Sequence, residues 1–148
     1  MAVVVVPKFN KQQIRAMLGE RKERIKAAIL LNLQRIGETF VTQARDTDTY
    51  KDRTGNLRSS IGYVILYNGE QMFESFKSTG GPQGVEKARQ VVEEVKQNFP
   101  SGYVLIGVAG MNYAAAVEAK GFDVITSSAL HAETALRVAI KRIESKIK

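Results

Sequence analysis

The chain of 148 residues has no cysteine, which removes disulfide frameworks, thiolate metal sites and cysteine nucleophiles together. It has a single histidine, His131, so no histidine cluster can hold a metal, and no Glu-x-x-His pattern follows it. Long apolar runs are also missing. The opening Met1–Val6 stops at Pro7 and has no basic residues before it, too short for the roughly 20 residues of a membrane span and unlike an export signal. Neither membrane nor export is expected, and residues 1–9 read as an N-terminal strand or arm. Acidic residues are in deficit, 15 against 22 basic ones, for a formal charge of +7. That balance favours acidic partners or nucleic acid, although ordinary solubility needs nothing more.

Recognisable catalytic patterns are scarce too. Asp46-x-Asp48-x-Tyr50-x-Asp52 begins like a calcium loop, but Lys51 and Leu57 stand where glycine and glutamate are required. Gly80-Gly81-Pro82-Gln83-Gly84 is followed by Val85-Glu86 rather than by the Lys-Ser or Lys-Thr of a phosphate loop. No Gly-x-Ser-x-Gly elbow occurs. The expectation is a non-enzymatic protein without metal, cofactor or small-molecule substrate.

What is present is a balanced globular composition, 44% hydrophobic and 25% charged, with no repeat or linker to divide it. A single α+β domain over 1–148 is expected. Residues 10–45 read as helix with a possible joint at Gly19, carrying an apolar stripe of Ile25, Ile29, Leu33, Ile36, Phe40 and Ala44. Residues 46–55 hold no apolar period and read as a mobile, exposed loop. Gly62–Tyr67 and Met72–Lys77 flank Asn68-Gly69, a strong hairpin signal. Residues 78–84 form a second mobile loop. A helix marked by Val85, Ala88, Val92, Val95 and Phe99 ends at Pro100. Tyr103–Val108, almost wholly apolar, is expected to be the most buried strand. Asn112–Lys120 reads as a short helix closed by Gly121, Phe122–Thr126 as a brief strand, and Ser127 or Ser128 as the cap of a last helix with the stripe Ala129, Ala132, Leu136, Ile140, Ile143 and Ile147. The architecture implied is long amphipathic helices packed on one face of a small, mostly antiparallel sheet.

Two segments carry a resemblance. Arg53-Thr54-Gly55-Asn56-Leu57-Arg58-Ser59-Ser60-Ile61, between a long amphipathic helix and a hairpin, and Gly107-Val108-Ala109-Gly110-Met111-Asn112-Tyr113-Ala114-Ala115-Ala116-Val117-Glu118 together resemble the head–tail joining and tail-component proteins of long-tailed double-stranded DNA bacteriophages. With the closing helix the likeness spans roughly residues 20–145. It departs from the family where Ala119–Asp123 intervenes after Val-Glu, and in the helix at 85–98. The resemblance implies a structural virion protein of a phage or prophage, a ring subunit that joins head to tail or completes the tail end, located at the head–tail interface and in host cytoplasm during assembly. Its partners would be copies of itself and other neck, connector or tail proteins. Arg53, Asn56, Arg58, Tyr113 and Glu118 are the candidate interface residues. Their plain reading is packing and surface: both arginines pointing outward, the Tyr113 ring buried with its hydroxyl partnered, Glu118 paired with a basic residue. The alternative reading of the whole chain is a small basic nucleic-acid-binding module, making non-specific contact with DNA.

Overall fold

A computed structural model describes residues 1–6, 8–47, 50–77, 80–112 and 114–147. Helix α1, Lys11–Asp46, opens on a reciprocal cap. The Asn10 Oδ1 accepts from the Gln13 N–H and the Gln13 Oε1 accepts from the Asn10 N–H, both at 2.9 Å, so two otherwise orphaned donors are satisfied at once. The helix passes through Gly19 without a break. Its later stripe, Leu33, Ile36, Phe40 and Ala44, is buried as expected, whereas residues 11–24 are exposed on every side. The first third of α1 therefore projects beyond the body of the molecule.

Three strands follow the hairpin logic. β1 (Ile61–Tyr67) turns through Asn68 and Gly69, at φ +50° and +80°, into antiparallel β2 (Glu70–Phe76). Two successive positive φ values are what a two-residue turn of the strands' own twist demands. β3 (Tyr103–Ala109) pairs antiparallel on the other side of β1, giving the order β2-β1-β3. The apolar run at 103–108 is thus an edge strand, only partly buried. β1 is the most buried strand instead, because both its neighbours and both its faces are covered. Period-two alternation divides the core. Ile61, Tyr63 and Ile65 meet Leu33, Phe40 and Ala44 of α1 on one face. Val64, Leu66, Ile106 and Val108 meet Ala88 and Val92 of helix α3 (Pro82–Lys96) on the other.

The remaining elements are α2 (Asn56–Ser59), α4 (Ala114–Ala119) and α5 (Thr126–Ile147). α5 lies along α1, so the two long helices share one face of an antiparallel sheet while α3 covers the second face. The fold is α+β. Among the described residues no helix is long and apolar enough to cross a membrane.

Several expected elements differ in detail. α3 starts at Pro82 instead of after Gly84, since proline's fixed φ suits the first helical position. Phe122–Thr126 is no strand; it is the turn that feeds α5. Met1–Val6 forms no strand or helix, with Val3 to Val6 each 74–88% exposed. In α5 the covered positions are Ser128, Ala132, Leu136, Ala139 and Ile143, while Ala129, Ile140 and Ile147 remain exposed. The 46–55 segment is exposed at Lys51, Arg53 and Thr54, but Tyr50 is half-buried against the core.

Candidate assembly surfaces

One end of the molecule gathers the 53–61 motif. Gly55 takes φ +72°, a left-handed turn that glycine adopts without strain. It starts the single helical turn α2, which Leu57 and, four residues on, Ile61 pin into the core. Arg53 is exposed, as expected. Arg58 does not point outward. Its N–H donates to Asp52 Oδ2 at 2.8 Å and its guanidinium lies over the Tyr50 ring, 5.9 Å from the centroid. Burial raises the pKa of the Tyr50 hydroxyl, opposed by the neighbouring Arg58 guanidinium and reinforced by Asp52 and Asp123. Asn56 faces α3, packed so closely that a Cβ at Gly81 or Gly84 would overlap its atoms. It is a helix-packing residue more than a free surface.

Glu118 is the most heavily used of the five. Its Oε1 accepts from the N–H groups of Val124, Ile125 and Thr126 at 3.1, 2.8 and 3.1 Å, and its Oε2 from the Thr126 hydroxyl. Its partners are thus backbone donors, where a basic side chain was expected. Asp123 accepts from the Ser127 N–H and hydroxyl. These two carboxylates serve the start of α5, the role expected of Ser127 or Ser128, because the chain arrives through a turn that aims N–H groups at them. Burial alone would raise the Glu118 pKa, but the hydrogen bonds from Ile125, Thr126 and Val124 outweigh it and the net shift is downward. A carboxylate with a lowered folded pKa stabilises the fold at pH above the ordinary glutamate value, and that contribution disappears as pH falls through the lowered one. Glu118→Ala should therefore cost about 1 kcal/mol at neutral pH, with a smaller difference from the parent in strong acid. Urea denaturation at both pH values checks this; an equal cost at both would refute the charge argument. Tyr113 lies outside the described residues. Of the candidate residues, Arg58 lies over Tyr50, whose hydroxyl feels the charge of Asp123 in the turn that Glu118 holds.

The sequence motifs gave no hint of Arg45. Its Nη2 donates to the carbonyls of Ile61 and Lys77 at 2.7 and 2.9 Å, tying the start of β1 to the end of β2. Burial lowers its pKa and Glu38 raises it in part. Only its place in the last turn of α1 could have suggested a cap.

The opposite end of α1 exposes apolar side chains among charged ones. α5 finishes beside Arg21, whose Nη2 donates to the Ile147 carbonyl at 2.9 Å. Beyond that point nothing among the described residues covers α1, and Ile14, Met17 and Leu18 are 42–69% exposed. By the 100° step of successive residues Ile14 and Leu18 continue the face that carries Ile25 and Ile36 further along the helix, and Met17 lies to one side of it, in line with exposed Arg35. Two grooves flank α5. One is basic, with Arg21, Arg24 and Arg35 of α1 facing Arg142 and Lys146 of α5, and no carboxylate in its wall. The other is apolar, walled by Ile29 and Leu33 of α1, Tyr103 and Leu105 of β3, and Leu136 and Ile140 of α5. Comparison with protein-family models, with curated proteins and with solved structures finds no significant match.

Proposed function

We propose that this chain is a non-enzymatic structural virion protein of a tailed phage or prophage, acting as a ring subunit that joins head to tail or completes the tail end. The observation that carries the reading is apolar surface presented where a monomer has no use for it: Val3–Val6 and the Ile14, Met17 and Leu18 face of α1. Such surface calls for a protein partner. The resemblance of residues 53–61 and 107–118 to head–tail joining proteins supplies the kind of assembly. Arg53, at the tip of its bend, is the member of the motif best placed to reach a neighbour.

The basic groove favours a second reading, a nucleic-acid-binding module, because five cations converge there without a carboxylate between them. Immunogold electron microscopy of virions separates the two. Label confined to the neck or tail end is the expected result. Absence of label from every particle, with the protein retained on DNA in low salt and released as salt rises, would replace the first reading with the second.

A further inference from the structure

We infer that the N-terminal arm of one copy docks into the apolar groove of a second copy, adding as a strand to the free edge of β3. This rests on the assembly reading and specifies its contact. β3 is an outer strand of the sheet, and among the described residues its outward edge is unpaired. Its residues Tyr103 and Leu105 face the groove and are only half-buried, and Gly107 beside them is exposed. The groove, about 270 Å³, is several times the roughly 30 Å³ share of one water, so it admits whole side chains. A run of four valines is suited to it, since β-branched residues favour the extended conformation that adds to a sheet edge.

Reach decides whose arm it is. At about 3.5 Å per extended residue, Val6 to Val3 lie at most about 14 to 25 Å from Asn10. Ile29, the nearest groove residue of α1, is about 28 Å from Asn10 along the helix at 1.5 Å per residue, and the β3 edge continues past it toward Phe40. A chain's own arm falls short. A neighbour's arm has no such limit. Charge agrees as well: residues 1–19 hold Lys8, Lys11 and Arg15 and no acidic residue, whereas Glu144 lines the groove. Arm and groove are different surfaces of one chain, so the contact runs head to tail and repeats until it closes a ring or extends as a filament.

The absence of native cysteine makes the test direct. Val4→Cys and Ile140→Cys are prepared separately, mixed, and oxidised with copper phenanthroline. Both positions are exposed, so the substitutions leave the fold intact. The mixture is expected to yield a disulfide-linked heterodimer at least about tenfold faster than Val4→Cys mixed with Gln97→Cys, because docking raises the local thiol concentration. Equal rates would overturn the contact. So would closure of the doubly substituted chain into an intrachain loop, which would place the arm on its own groove. Either failure leaves the virion label to judge the assembly reading by itself. Conversely, efficient cross-linking without virion label would keep the contact and discard the virion.

Discussion

Tyr63→Ala is expected to lower stability by about 3–5 kcal/mol, and Gly37→Ala, harmful in the parent chain, should cost little or nothing in that background. Tyr63 is fully buried in the central strand, and its ring lies against Gly37 of α1. A Cβ at Gly37 would overlap the ring, 2.7 Å from its Cγ and nearer still to other ring atoms. Neither the ring nor the helix has room to move, so the alanine should cost on the order of 1–3 kcal/mol through overpacking. Removing the ring gives the methyl group space. Alanine then brings its helix-propensity advantage over glycine, about 1 kcal/mol. The test is a double-mutant cycle in urea. Additive costs would show that Gly37 is not kept small by Tyr63. Tyr63→Phe should cost far less than Tyr63→Ala, about 0.5–1.5 kcal/mol, since it loses only the hydroxyl's bonds to Glu38 Oε1 at 3.0 Å and the Gln34 carbonyl at 3.3 Å. Burial and then Glu38 push the hydroxyl's pKa upward, so it remains a donor throughout the neutral range.

Leu57→Ala should cost about 2–5 kcal/mol, the larger share of the motif's contribution to stability. Leu57 is 1% exposed and is the apolar anchor of a four-residue helix too short to persist by its own hydrogen bonds. α2 in turn receives the start of α3 at Gly81 and Gly84, where any side chain would overlap Asn56. Loss of Leu57 should therefore loosen α3 as well as α2. Hydrogen exchange should show lost protection in Val85–Val92 beyond that at the substituted site. Protection lost uniformly, or only within α2, would refute the coupling. By contrast Arg53→Ala, at an exposed position, should leave stability within about 0.5 kcal/mol of the parent. A motif with one deep anchor and one free arginine separates folding from contact.

The α+β class, the three strands and the two long helices were legible because apolar periodicity of 3.6 or 2 is written residue by residue. Asn68-Gly69 is a turn that depends on two residues alone, and it appears where those residues stand. The misplaced features depend on neighbours distant in sequence. Tyr103–Val108 is as apolar as β1, and only strand order makes one an edge and the other the centre. Phe122–Thr126 has strand-forming residues, but Glu118 collects the N–H groups of Val124, Ile125 and Thr126 and turns the segment into a helix start.

The candidate surfaces divide in the same way. Arg53 could be read as exposed from its polar loop. Arg58 could not be read as stacked on Tyr50, because nothing local states that Tyr50 folds back on the core. The valine run and its lack of a local partner were visible from composition, and so was the absence of cysteine, of a histidine cluster and of long apolar spans. What only the tertiary structure decided is where apolar surface is left over. A stripe on a helix records that something must cover it, while the length and direction of the packed neighbours determine how far the covering goes. α5 stops beside Arg21, so the face of α1 that is core at Ile36 is open surface at Leu18.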